Sequence, residues 1–199
     1  MPIRNLIILF LCQLISATGQ ITIVTLGGII GSSLTENQSF ATLPVSLMVV
    51  VTAISTIPAT MLMKKMGRKY GSSISSLSAV AAVLIAAFAL IKSSFLMFIF
   101  AAALFGINTA FTQQYRFAAA ESVQSKYTAR AISIVLLGAI GGALLGPELV
   151  IRGQYWYEGA QYSGTLLALS VLFIFQAILL LFLGQLKGSH NYPNKSQAR

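Results

Sequence analysis

Three ionisable residues, Arg116, Glu121 and Glu148, lie within or at the ends of long apolar stretches of this chain. A charge at such a place is costly in a membrane unless it meets a partner or water. Arg116 follows Asn108 and Thr112 at intervals of four residues, a spacing that predicts one shared helix face. A cation in line with two polar groups indicates a pathway for a solute or a proton. The alternative is an arginine that extends to the inner membrane interface or pairs with Glu121.

A second polar face is predicted on the first apolar stretch, where Gln13, Ser16 and Gln20 recur at helical spacing. Two interpretations stay open for it: an aqueous cavity lined by these side chains, or hydrogen bonds between helices. In another stretch Glu148 precedes Arg152 by four residues. That spacing predicts an ion pair between adjacent turns at the outer interface, with a role in proton coupling as the alternative.

The residues that the sequence lacks exclude several kinds of enzyme. It contains no aspartate, and its one histidine, His190, lies in a polar C-terminal segment. Metalloproteases, histidine-dependent acyltransferases and serine–histidine proteases of membranes need groups that these apolar stretches do not contain. The single cysteine, Cys12, predicts neither a disulfide framework nor a metal site. We therefore expect no enzymatic activity, no metal and no cofactor.

Six apolar stretches occupy most of the 199 residues, and each is long enough to cross a bilayer. A spanning helix needs about 20 apolar residues, because the hydrocarbon core is about 30 Å thick and a helix rises about 1.5 Å per residue. The sequence therefore predicts an all-α membrane protein with six transmembrane helices. The predicted spans are 6–30, 43–63, 72–91, 95–120, 132–151 and 164–186, in a domain of residues 1–186 that is followed by a disordered cytosolic tail, 187–199.

The distribution of the 13 Lys and Arg residues predicts how these spans are oriented. With the N-terminus in the cytosol, ten of the 13 fall on the inner side, Arg116 lies within a span, and only Lys92 and Arg152 fall outside. This bias predicts that both termini are cytosolic and that segments 31–42 and 152–163 lie outside. Because the net charge of +9 is distributed by membrane side, we expect the lipid bilayer as its partner and no nucleic acid. A signal peptide is the alternative for the first stretch, whose apolar character is long for such a signal.

The fifth stretch carries a glycine stripe. Gly138, Gly142 and Gly146 recur every four residues, and Pro147 follows at once. Glycines on one helix face let two backbones approach closely, so the stripe predicts tight packing against another helix. The spacing alone indicates contact rather than chemistry.

The inner segment after the second span resembles a motif of the major facilitator superfamily. It reads Met63-Lys64-Lys65-Met66-Gly67-Arg68-Lys69-Tyr70-Gly71. The family places a G-x-x-x-D-R-x-G-R-R-type motif between its second and third helices, and four residues match it in register: Lys65, Gly67, Arg68 and Lys69. The sequence departs at Thr60, where the motif has glycine, and at Lys64, where it has an acidic residue.

Two further matches extend the resemblance. The run from Gly142 to Pro147 is similar to the G-x-x-x-G-P core that many exchanger-type members carry on their fifth helix, and Arg116 stands where many proton-coupled members place an arginine. The resemblance implies the N-terminal six-helix half of a twelve-helix transporter in a bacterial inner membrane. It implies alternating access, with gating by the motif residues Lys65, Gly67, Arg68 and Lys69. Glu121 and Arg130 lie at the next inner segment, where we expect a gate or an interfacial ion pair. The polar faces, together with Arg116, predict a substrate or proton pathway through Gln13, Gln20, Asn108, Thr112 and Arg116.

One six-helix bundle supplies only one side of a cavity. We therefore expect the chain to transport a small solute as a homodimer or together with a partner six-helix half, with its polar face turned toward that partner. The alternative is a non-transporting membrane interaction subunit, or an inactive fragment of a split transporter. The polar faces of the first and fourth helices line water under the first hypothesis and not under the second.

Overall fold

A computed structural model describes residues 3–35, 37–157 and 160–184. Six helical spans are long and apolar enough to cross a membrane, which confirms the predicted fold class. Two of the helices, α4 and α5, together form the fourth span. The predicted tail, 187–199, lies outside the described residues. The helices are α1 (Ile3–Leu34), α2 (Leu43–Met66), α3 (Arg68–Ile91), α4 (Phe95–Thr112), α5 (Tyr115–Glu121), α6 (Thr128–Gly153) and α7 (Ser163–Leu181).

The connection between α2 and α3 is shorter than the sequence predicts. Gly67 alone separates the two helices, so most of the expected inner loop is helical. Lys64, Lys65 and Met66 are good helix formers and extend α2 beyond its apolar part. Gly67 has φ 85°, a backbone conformation that glycine adopts without a steric penalty. Lys65 and Lys69 therefore lie on adjoining helix ends.

The helices pair in a pattern that relates the first three spans to the last three. The main contacts are between α1 and α6, between α2 and α4, and between α3 and α7. The fifth span contains α6, and the sixth span is α7. Exchanging the first span with the fourth and the second with the fifth turns the α1–α6 pair into the α4–α2 pair. Exchanging the third span with the sixth leaves the α3–α7 pair unchanged. This arrangement is typical of an inverted repeat, in which two three-helix units of opposite orientation interlock.

The glycine stripe of α6 lies against the backbone of α1. A Cβ added to Gly142 would lie 2.5 Å from the Leu14 carbonyl oxygen and 2.7 Å from the Thr18 nitrogen. A Cβ added to Gly138 would lie 2.6 Å from the Phe10 carbonyl oxygen. Since Cβ atoms do not approach backbone this closely, only glycine permits the observed separation of the two helices.

The equivalent crossing of α2 and α4 is equally close. A Cβ on Gly106 would lie 2.5 Å from the Met48 carbonyl oxygen. A threonine hydroxyl also joins the helices at each crossing. Thr22 donates to the Gly146 carbonyl at 3.3 Å, and Thr52 donates to the Gly106 carbonyl at 3.0 Å.

Aromatic and aliphatic side chains fill the centre of the bundle. The rings of Phe105 and Phe173 meet edge to face at a centroid distance of 5.6 Å, which packs α4 against α7. A smaller cluster lies nearer the N-terminal end of α1 and includes Cys12, which is fully buried and acts as a small apolar group. The N-terminal end of α1 lies beside the segment that follows α7, where Asn5 accepts a hydrogen bond from the Gly184 nitrogen at 3.1 Å.

The least enclosed helices are α2 and α6. Each presents large apolar side chains outward, including Ile57 (71% exposed) on α2 and Leu144 (74% exposed) on α6. Pro58 and Pro147 are also exposed on these helices. These faces are open to lipid or to another apolar surface.

Candidate functional site

The fourth span is interrupted at Gln113 and Gln114, between α4 and α5, and we call this interruption the kink. The Gln113 nitrogen donates to the Thr109 carbonyl, four residues back, whereas the Gln114 nitrogen donates to the Phe111 carbonyl, three residues back. A three-residue repeat turns the chain about 20° further per residue than an α-helix does. The residues after the kink therefore face a different direction from the one that α4 spacing predicts.

The predicted shared face of Asn108, Thr112 and Arg116 is wrong for this reason. Asn108 and Thr112 are buried, whereas Arg116 is exposed. The Asn108 side chain donates to the carbonyl and hydroxyl oxygens of Ser75 at 2.9 and 3.0 Å, which joins α4 to α3. Thr112 donates to the Asn108 carbonyl at 3.1 Å. Both side chains therefore bond inside the bundle rather than on its surface.

Arg116 lies on an exposed surface made by the kink. Gln113 and Phe117 are exposed beside it, and we call these three residues the kink surface. The Arg116 guanidinium lies 5.2 Å from the centroid of the Phe117 ring, in a cation–π contact. The predicted alternative of an Arg116–Glu121 pair is wrong, because Arg68 occupies both carboxylate oxygens of Glu121.

The first polar face divides into two environments. Gln13 and Gln20 are half-buried at the surface of α1, whereas Ser16 is buried and turned toward α7. The Ser16 hydroxyl donates to the Gln176 amide oxygen at 3.0 Å. At Ser16 the face therefore forms a hydrogen bond between helices. An aqueous cavity beside Gln13 and Gln20 stays a prediction.

Gln176 is the centre of a buried network that the sequence did not reveal. Its amide nitrogen donates to the Ser76 hydroxyl at 2.9 Å and to the Tyr115 hydroxyl at 3.0 Å. With Ser16, the network joins α1, α3, α5 and α7, and all four side chains are at most 3% exposed. A lone glutamine in the apolar run of α7 was the available signal, since a buried amide requires partners.

An ion pair joins the N-terminal end of α3 to the C-terminal end of α5. Arg68 donates through Nε and Nη2 to the two oxygens of Glu121, each at 2.5 Å. The pair is partly enclosed, with side-chain exposures of 21% and 36%. Lys65 and Arg130 are exposed nearby along the chain, and Lys69 is half-buried. Glu121 therefore supplies a carboxylate to the motif segment, in which Lys64 replaces the expected acidic residue.

The predicted ion pair between Glu148 and Arg152 is present, exposed near the C-terminal end of α6. Both acidic residues of the described chain, Glu121 and Glu148, are thus bound by arginine. Within those residues, no three His, Cys, Asp or Glu side chains are grouped closely enough to hold a metal ion.

One cavity of the described chain is apolar and lies apart from the kink surface. Its volume is about 240 Å³, and it opens between α1, α6 and α7. Side chains that line it include Leu14, Leu145, Leu149, Leu172 and Trp156. Gln113 and Arg116 of the kink surface are exposed and do not line this cavity.

Comparison with known proteins gives consistent matches. The sequence model of the Major Facilitator Superfamily matches residues 9–198. The riboflavin transporter RfnT of Brucella anthropi is 35% identical over 182 residues, which cover 87% of this chain and 46% of the relative. The MFS-type transporter YdeG of Bacillus subtilis is 31% identical over 157 residues, which cover 76% of this chain and 36% of the relative. The chain therefore spans less than half the length of these curated relatives.

Proposed function

Because the chain belongs to the major facilitator superfamily, as its motifs predicted, we propose that it transports a small solute by alternating access. The observation that carries the proposal is a family match along nearly the whole six-helix bundle, in a chain less than half as long as its relatives. In alternating access two such bundles rock about a shared central site. This bundle supplies one wall, and a second copy or a partner half supplies the other.

The exposed surface supports a second bundle. The kink surface carries a guanidinium and an amide, and turning them toward lipid would cost several kcal/mol on membrane-insertion scales. The apolar faces of α2 and α6 offer contact area on which a partner bundle can pack. A cavity between two bundles gives Arg116 and Gln113 water or a ligand in place of lipid.

We extend the proposal to a flavin-like neutral solute, because one relative is a riboflavin transporter. The charges of the described chain agree with such a solute, since both of its acidic groups are already paired. On the kink surface, the planar guanidinium of Arg116 is suited to donate to ring carbonyls and to stack on a flat heterocycle. The half-buried amides of Gln13 and Gln20 add neutral hydrogen-bonding groups.

Uptake of labelled riboflavin tests the function. The host is a bacterium that can neither make nor import riboflavin. In one arm it expresses the chain alone, and in the other it expresses the chain together with the C-terminal half of the Brucella riboflavin transporter. We expect uptake several times that of an empty-vector control in at least one arm, and an oligomer or complex in mild detergent. Absence of uptake in both arms would contradict riboflavin transport. If the purified chain were also monomeric, the working bundle pair would be contradicted as well.

We also propose that both chain ends lie in the cytosol of a bacterial cell and that the protein resides in the inner membrane. Labelling of intact cells with an impermeant thiol reagent, in a Cys12→Ala background, checks this orientation. Ser33 and Gln161 are exposed, and the proposal places both outside the cell. The variants Ser33→Cys and Gln161→Cys should therefore react with the reagent. Lys65→Cys, equally exposed but at the inner end of α2, should react only after permeabilisation. Strong labelling of Lys65→Cys in intact cells would invert the topology.

A further inference from the structure

The two buried residues of the kink are each hydrogen-bonded to a different helix. The Gln114 amide donates to the Thr60 hydroxyl oxygen on α2 at 3.1 Å. The Tyr115 hydroxyl accepts from the Gln176 amide on α7 at 3.0 Å. Gln114 is 7% exposed and Tyr115 is 1% exposed, whereas Gln113 on one side of them is exposed. The kink is thus held from two sides of the bundle.

The Thr60 hydroxyl is oriented to accept this bond. It donates its own proton to the Thr56 carbonyl at 2.8 Å, so a lone pair remains for the Gln114 amide. The glycine that the family motif has at this position lacks such an oxygen. The departure from the motif at Thr60 therefore adds a contact between α2 and the kinked span.

The short helix α5 requires such support. It has seven residues, too few for a stable helix by itself, and the kink changes the hydrogen-bonding pattern that would join it to α4. Its far end is held by the Arg68–Glu121 pair. Its near end is held by the bonds to Thr60 and Gln176, and these two bonds set the rotation at which α5 presents Arg116.

We infer that Gln114 and Tyr115 are positioning residues, which hold the kink through Thr60 and Gln176 so that Arg116 faces the solute path. The inference rests on the proposed function, in which Arg116 acts in that path. Loss of either bond lets α5 rotate, which uncovers its buried face and moves the guanidinium out of place. The expected consequence is weaker solute binding by a protein that remains folded.

The rate at which a water-soluble maleimide labels Ala118→Cys measures this rotation. Ala118 is 3% exposed on the inward face of α5, so its labelling is slow while the kink is held. In membranes containing the full chain with Cys12→Ala, we expect labelling to rise about threefold in Thr60→Val and in Tyr115→Phe, the change that one interhelical hydrogen bond typically supports. The change should be larger when both substitutions are combined.

Two control variants separate positioning from general loosening. Thr60→Ser keeps the acceptor oxygen and should restore the slow labelling. Thr109→Val removes a buried hydroxyl of α4 that bonds only to its own helix, and it should leave the rate unchanged. The thermal unfolding midpoint should stay within a few degrees in all variants.

Riboflavin uptake by the same variants distinguishes the possible failures. We expect Thr60→Val and Tyr115→Phe to raise KM about threefold, with an uptake capacity close to that of the parent chain. If Arg116→Ala abolishes uptake but Thr60→Val and Tyr115→Phe change neither labelling nor KM, the positioning role is wrong. If Thr60→Val and Tyr115→Phe raise the labelling rate but Arg116→Ala leaves uptake unchanged, the role of Arg116 in the proposed function is wrong. The inference that Gln114 and Tyr115 position Arg116 for transport is then wrong as well.

Discussion

Arg116→Ala should lower solute uptake about a hundredfold while the amount of protein in the membrane stays near normal. Arg116 is exposed and packs over Phe117, so its removal costs the fold little. The loss of a charged hydrogen-bond donor at a desolvated binding site corresponds to about 3 kcal/mol, or about a hundredfold in affinity. Arg116→Lys should recover only a small part, because an ammonium lacks the planar fork and stacks less well on a ring.

Lys126→Ala is the matched control for Arg116→Ala. Lys126 is also an exposed cation placed over the ring of its neighbour, Tyr127, at 4.8 Å. It lies outside the kink surface, so its removal should leave uptake within about twofold, as for an ordinary surface substitution. Full activity of Arg116→Lys together with low membrane levels of Arg116→Ala would instead identify Arg116 as an interfacial anchor.

Arg68→Ala and Glu121→Gln should each lower uptake about tenfold at equal protein levels. Either change leaves the other member of a partly enclosed, bidentate pair without its partner. Because water partly screens the pair, the cost is about 1.4 kcal/mol. In the proposed cycle this pair holds the inner ends of α3 and α5 together as the bundle rocks. Transport assays normalised to immunoblots measure the effect.

The charge-reversed pair provides the stricter test. Arg68→Glu combined with Glu121→Arg should recover more uptake than either single reversal, because the attraction is restored with its ends exchanged. Glu148→Gln breaks the exposed pair with Arg152 on α6 and should change uptake less than twofold. A double reversal no better than the single ones would indicate that the two residues act separately.

The six spans could be predicted from sequence because lipid leaves the backbone few choices. An apolar run of about 20 residues must satisfy its own hydrogen bonds and therefore becomes a helix. The ion-pair partner of Glu148 could be predicted equally well, since Arg152 lies one turn away on the same helix. Both inferences depend only on local sequence.

The candidate site was harder to predict because its geometry depends on a turn that no proline or glycine marks in the sequence. Gln113 and Gln114 are neither proline nor glycine, yet the repeat tightens there and turns Arg116 away from Asn108. The ion-pair partner of Glu121 could not be predicted from the sequence either. Lys126 and Arg130 are near in sequence, but Arg68, which lies 53 residues away, makes the bond. Such pairings follow from tertiary packing, which spacing along one helix does not encode.

The interlocked helix pairs set an order for biosynthesis. The hydroxyl of Thr22 and its acceptor at Gly146 are separated by 124 positions. At about 5–20 residues per second, α1 enters the bilayer roughly 6–25 s before the matching part of α6 is translated. During that interval the face of α1 that will receive the glycine stripe is covered by lipid or by the insertion machinery. The α1–α6 crossing is thus closed late, by a helix that must displace whatever has occupied its place.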